Sequence, residues 1–156
     1  MTTHRSVKVG DRAPDFELVA ASGQKVRLAD FRGKKNVVLF FYPKDETAGC
    51  TLEACTFRDA YEDFVDVGAE VIGISADSLE SHNRFADRDR LPFLLLSDPK
   101  GLIGARYDVR KALGIFPGRV TFLIDKEGIV RHVTDGRLLF KEHVSESLEV
   151  LKALSA

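Results

Sequence analysis

Four short runs in the chain are apolar almost without interruption: VVLFFY (37–42), EVIGIS (70–75), FLLLS (93–97) and VTFLI (120–124). Rich in β-branched and aromatic residues, they predict strands covered on both faces. Between the first two, Phe57, Ala60, Tyr61, Phe64 and Val65 stand at i, i+3, i+4, i+7 and i+8, which predicts a helix with a buried stripe. LESHNRFADRDR (79–90) reads as a second helix, exposed on its Arg and Asp side, and 138–154 as a third, with Leu139, Val144, Leu148 and Leu151 available for packing. Asp98-Pro99-Lys100-Gly101 marks a turn, Pro117-Gly118 introduces a strand, and Asp125-Lys126-Glu127-Gly128 turns a hairpin into IVRHV (129–133). Strands alternating with helices predict an α/β fold around a largely parallel sheet with helices on both faces, made mixed by the terminal hairpin.

Composition narrows the function. With 156 residues, 44% of them hydrophobic, the chain can bury a sizeable core, and 1–156 reads as a single domain. Charged residues make up 30% yet sum to −1, so there is no one-sided basic surface for nucleic acid. MTTHRSVKVGDRAPDF lacks the apolar stretch of a signal peptide, and no run approaches the roughly 18 residues that would span a membrane. A reducing cytoplasm is expected, where a lone cysteine pair points to catalysis or redox sensing more than to a structural staple.

That pair, Cys50 and Cys55, lies in FFYPKDETAGCTLEACTF (40–57). Cys50 precedes Phe57 by two helical turns and falls only about 20° from its face, so it points inward; Cys55 lies about 160° away, beside Asp59, Glu62 and Asp66. In a continuous helix, Cα atoms five residues apart are separated by roughly 8.7 Å. A disulfide needs less than about 7 Å. The two thiols can therefore join only if the first turns unwind.

A helix N-terminus favours negative charge, which suits a thiolate at Cys50. Thiol ionisation by itself gives only a severalfold advantage, because a more acidic thiol is a weaker nucleophile. A fast reaction also needs donors aimed at developing charge. Thr47 has a hydroxyl that could serve, and equally could cap the helix. Glu53 is likewise ambiguous, since a first-turn acid complements the dipole without any function, and Pro43 can simply end the strand.

Pro43-Lys-Asp-Glu-Thr47-Ala-Gly-Cys50-Thr-Leu-Glu53 resembles the PxxxTxxCxxE active-site signature of peroxiredoxins. GDRAPDFEL, VRLADFRGKKNVVLFFYPKD and PGRVTFLIDKEGIV extend the resemblance over nearly the full length, and the spacing of Cys55 is similar to that in the bacterioferritin-comigratory-protein or peroxiredoxin Q subgroup. The resemblance implies a thioredoxin-like fold and a peroxidase that needs no cofactor. It implies that Cys50 is the peroxidatic nucleophile, forming a sulfenic acid from hydrogen peroxide or an organic hydroperoxide. Thr47 and Arg119 would stabilise thiolate and peroxide, Pro43 would shield the site, and Glu53 would orient Arg119. Cys55 would condense with the sulfenic acid to form an intramolecular disulfide, which thioredoxin or a similar dithiol reduces; slow unwinding would expose Cys50 to over-oxidation. Relatives of this type are monomers, sometimes dimers. One departure is Ala48, where many relatives have Pro; proline would preset the backbone at the helix entrance, and its absence would loosen the loop without touching the chemistry. The chain also ends soon after its last helix, without the tail that carries a resolving cysteine in typical two-cysteine relatives.

Other readings remain for comparison. A zinc site needs about four ligands, and the two cysteines with His4, His82, His132 and His143 show no such spacing, so no metal is expected. The histidines read as surface or partly buried residues. Arg84, Arg88 and Arg90, interleaved with Asp87 and Asp89, read as a solvated helix face. The rival function is a peroxide-responsive sensor or thiol–disulfide relay using the same dithiol. A dormant binding module would lack one of Thr47, Cys50 or Arg119, and all three are present.

Overall fold

In the computed structural model, which describes residues 7–109, 119–135 and 140–155, all four apolar runs form strands. The elements in chain order are β1 (Glu17–Ala20), β2 (Lys25–Arg27), a 3-10 turn (Leu28–Phe31), β3 (Asn36–Phe41), α1 (Ala48–Asp59), α2 (Tyr61–Asp66), β4 (Ala69–Ser75), α3 (Leu79–Asp89), β5 (Leu94–Ser97), α4 (Leu102–Arg106), β6 (Val120–Ile124), β7 (Val130–Asp135) and α5 (Phe140–Ser155). The strands form one seven-stranded sheet, ordered β2-β1-β5-β4-β3-β6-β7.

Strand β3 shows why the apolar runs are unbroken. Val37, Leu39 and Phe41 pack on one face with Ile72, Ile74, Leu96 and Tyr107. Val38, Phe40 and Tyr42 pack on the other with Cys50, Phe57, Phe64, Phe85 and Leu151. Helices α1, α2, α3 and α5 thus cover one face, while α4, through Ile103, and the N-terminal Phe16 cover the other. Strand direction departs from expectation. Only β3–β4 and β4–β5 are parallel; β1–β2, β1–β5, β3–β6 and β6–β7 are antiparallel, so the sheet is mixed but mostly antiparallel. Two-sided burial reports which faces are covered and says nothing about direction.

The single helix predicted around Phe57 is two. Ala60, at φ −98° and ψ 4°, ends α1 and begins α2. The interruption shifts the helical phase, so Phe57 and Phe64 are fully buried whereas Val65, expected in the stripe, is 51% exposed. Phe40 stacks on Phe57 with ring centroids 4.6 Å apart, which seats α1 over β3. Gly73 makes room for that ring: a Cβ there would stand 2.8 Å from Phe40 Cζ, closer than packed atoms approach.

Two turns form where composition placed them. Gly101 N donates to Asp98 O at 2.9 Å, and Gly128 N donates to Asp125 O at 2.9 Å. Pro117, Gly118 and Leu139 lie outside the described residues. No helix among the described residues is long and apolar enough to cross a membrane.

Candidate active site

The site begins where β3 ends. Its last residues lead into a loop, 43–47, and α1 starts after Thr47, which has the extended backbone of an N-cap (φ −77°, ψ 155°). Thr47 O accepts from Thr51 N at 2.8 Å, yet the hydroxyl does not cap the helix. Thr47 Oγ1 instead donates to Lys44 O at 3.0 Å, and the side chain remains exposed at the helix entrance. Pro43 is half-buried at the strand end.

Cys50 is the third residue of α1 and is 1% exposed, as its helical phase predicted. Cys55, half-buried, belongs to the same continuous helix, and both thiols are free. Arg119 immediately precedes β6, whose antiparallel register sets Val120 opposite Phe41. That pairing carries a residue 69 positions distant to the start of α1. Arg119 Nη2 donates to Cys50 Sγ at 3.3 Å, and Nη1 donates to Glu53 Oε1 at 2.6 Å. Neither side chain belongs to the surface: Arg119 is 6% exposed and Glu53 0%. Glu53 is therefore the buried partner of the arginine.

Burial pushes the Glu53 carboxyl up to about 7, with Arg119 drawing it back only in part. Burial works against the charge of Arg119 as well, but Glu53 and Cys50 outweigh it and hold the guanidinium above its ordinary value. The thiol of Cys55 is pushed up by burial, partly offset by Arg58.

Two histidines expected at or near the surface are fully buried, and both support this region. His143 of α5 places Nδ1 2.6 Å from Thr121 Oγ1 and 3.6 Å from Glu53 Oε2, behind the Glu53–Arg119 pair. His82 of α3 has Nδ1 2.6 Å from Asp45 Oδ2 and Nε2 2.9 Å from Leu96 O. Because a carbonyl can only accept, Nε2 carries a proton. Asp45 also accepts from Tyr42 Oη at 2.5 Å and from Ser81 Oγ at 2.8 Å, and its backbone N donates to Asp77 Oδ2 at 2.8 Å. The loop carrying Pro43 and Thr47 is thereby pinned at its centre to α3. Helical spacing held the missing signal: His82 stands three residues before buried Phe85, and His143, Ser147 and Leu151 recur at i, i+4 and i+8, all buried. A cavity of about 380 Å³, lined among others by Tyr42, Ile74, Lys100 and Val109, meets this region at Pro43.

The pH dependence follows from Glu53. As pH falls through about 7 the carboxyl gains a proton and Arg119 loses its anionic partner. Exchanging a charged for a neutral hydrogen bond costs about 1 kcal/mol, so the reactivity of the Cys50 thiol that Arg119 contacts is expected to drop roughly 5-fold through this step. Glu53→Gln should be slower at pH 8 and lack this component between pH 6 and 8, which competition kinetics would register. Stability runs the other way: with a folded value of about 7 above the ordinary 4.5, this group contributes stability at low pH that is lost as pH rises from 4.5 to 7.

A thiol buried in the first turn of a helix, contacted by an arginine and carried on a mixed sheet, suits two-electron thiol chemistry. Comparison with known proteins agrees: the chain belongs to the AhpC/TSA family, whose profile matches residues 9–133. Within that family it groups with the Bcp and peroxiredoxin Q proteins. It is 45% identical over 157 residues to Peroxiredoxin Bcp of Bacillus subtilis, covering 96% of this chain and 98% of that protein. It is 46% identical over 149 residues to chloroplastic Peroxiredoxin Q of Sedum lineare, covering 95% of this chain and 80% of that one. The crystal structure of Peroxidoxin BcpB from Mycobacterium tuberculosis superposes with a TM-score of 0.88 at 38% identity, covering 95% of this chain and 98% of that one. The fold is accordingly thioredoxin-like, and the activity is that of a thiol-dependent peroxidase.

Proposed function

We propose that Cys50 is the peroxidatic cysteine and Cys55 its resolving partner, in a cycle that thioredoxin or a similar dithiol completes. The Cys50 thiolate attacks one peroxide oxygen and the O–O bond breaks. Sulfur is oxidised by two electrons to the sulfenic acid, and water or an alcohol leaves with a proton from solvent. Arg119 Nη2, already on the sulfur, meets the charge that develops along the S–O–O line, and the Thr47 hydroxyl becomes the second donor once it turns from Lys44 O, to which it donates at 3.0 Å in this structure. Pro43 screens the entrance, and Glu53 fixes the guanidinium. Cys55 Sγ then attacks Cys50 Sγ, the S–S bond forms, the S–O bond breaks, and the oxygen departs as water. The observation that carries this reading is the 3.3 Å contact from Arg119 to the buried Cys50 Sγ, made while Glu53 holds the same guanidinium.

Hydrogen peroxide and organic hydroperoxides are the proposed substrates. One sheet covered on both faces supports reading 1–156 as a single domain. Among the described residues the exposed large apolar side chains, Val9, Leu52, Val65, Leu102 and Leu154, come from different segments of the chain, and a monomer is the proposed state. Two free thiols suit a reducing compartment, the cytoplasm.

The test is peroxide turnover with a thioredoxin reducing system. Wild type should cycle many times, whereas Cys55→Ser should still form a sulfenic acid, trapped by dimedone, and lose thioredoxin-dependent turnover. Normal cycling by Cys55→Ser would remove it from the resolving role. A wild type that oxidises once and never turns over with any dithiol would assign the pair to sensing.

A further inference from the structure

The interleaved charges at the end of α3 form the exposed face expected of them, yet one is engaged with a second helix. Arg88 reaches back across to the amino end of α1. Its Nη1 lies 3.1 Å from Glu46 Oε2 and its Nη2 donates to Thr51 Oγ1 at 3.1 Å. Asp89 steadies the same guanidinium, accepting from Nε at 3.2 Å and Nη2 at 3.0 Å. Glu46, immediately before Thr47, has a left-handed backbone (φ 62°), a conformation that side-chain-bearing residues resist and neighbours must hold in place. At the other end of α1, Arg58 Nη1 donates to Asp89 O at 2.7 Å. The end of α3 thus grips α1 on both sides of Cys55: before Cys50, at Thr51 in the first turn, and at Arg58.

The two outer grips differ in what they resist. Cys50 and Cys55 belong to one continuous helix, so their sulfurs can meet only when the first turns unwind. Unwinding carries Thr51 away from α3 and frees Glu46, which breaks both Arg88 contacts. Arg58 lies beyond Cys55 and its contact can persist.

We propose that Arg88 is a positioning residue for resolution: by tying Glu46 and Thr51 to α3 it holds α1 wound and sets how often the Cys50 sulfenic acid is released towards Cys55. This rests on the reading of Cys55 as the resolving thiol. A sulfenic acid kept in the wound helix has two fates. It is released and loses its oxygen as water on forming the disulfide, or it takes a second oxygen from another peroxide, which leaves as water or alcohol, and becomes a sulfinic acid. A tighter latch favours the second. Arg88 contacts neither peroxide nor sulfur, although its charge draws the Cys55 thiol down against the effect of burial, so it acts on the partition and not on the first oxidation.

Charge pairs this exposed are individually weak. Losing both contacts in Arg88→Ala is expected to speed disulfide formation about 3- to 10-fold and raise the peroxide concentration that half-oxidises Cys50 to sulfinic acid by a similar factor. The first oxidation, measured by competition, should change by less than about twofold, since its donors remain. Glu46→Gln and Thr51→Val should each give part of the effect and add nothing in the Arg88→Ala background, because they share one partner. Rapid quenching after one equivalent of hydrogen peroxide, alkylation and intact mass measurement count sulfenic acid, disulfide and sulfinic acid together. Disulfide formation in Arg88→Ala at the wild-type rate or slower would overturn the latch while leaving Cys55 in its role. A wild type that forms no Cys50–Cys55 disulfide would overturn both.

Discussion

Cys50→Ser protein is expected to consume peroxide no faster than buffer, at least about 10³-fold below the parent, because the thiolate is the nucleophile and a hydroxyl at the same place supplies almost none of the corresponding oxyanion. The substitution changes one atom in a site that is 1% exposed and leaves Arg119 held by Glu53, so the thermal transition should stay close to that of the parent. Intact mass measurement after peroxide treatment should show no added oxygen at residue 50. Consumption above a tenth of the parent rate, with the fold intact, would move the chemistry to Cys55.

Arg119→Met carries the second largest expected effect, a fall of about 10² to 10³ in the rate constant for peroxide, the loss typical when one preorganised donor to developing charge is removed. Binding alone does not account for so much; the donor matters most as negative charge spreads over sulfur and oxygen. Stability should respond with a pH signature. Burial already pushes Glu53 up to about 7, and without the guanidinium it rises further, so at pH 6 the carboxyl is neutral with or without the arginine. Towards pH 8 the parent ionises against a cation while the variant must hold its proton or bury a bare charge. The gap in melting temperature between the two should therefore widen from pH 6 to pH 8. A rate change under about 5-fold would deny Arg119 the part of a donor in the transition state.

Much of this site was legible because helical phase is a local property. The count from Phe57 placed Cys50 inward and Cys55 on the more open side, and the exposures agree. Arg119 could be assigned only through resemblance, since its partners lie 66 and 69 positions away and are reached by an antiparallel pairing with β3. Direction was also what the sheet withheld: VTFLI is equally apolar whichever way it runs. Strands β1 and β2, with four and three residues and mostly partial exposure, are too short to show a period. The histidines were misjudged for another reason. Each is polar by itself: helical spacing put both on a buried face, but the partners that satisfy them there, Asp45 and Leu96 for His82 and Thr121 for His143, lie on other elements and leave no mark in the local pattern.

Phe40 stacked on Phe57 and Asp45 held by Tyr42, Ser81 and His82 bound the segment that must move. Both anchors can persist while α1 loosens, so in the proposed cycle the disulfide form would remain a chain tethered at two fixed points. Once reduced, such a segment has little conformational space to search, and a helix of this size rewinds on the order of microseconds or less. Recovery of the reactive shape would then never limit the cycle, and the waiting time between turnovers belongs to the encounter with the reductant.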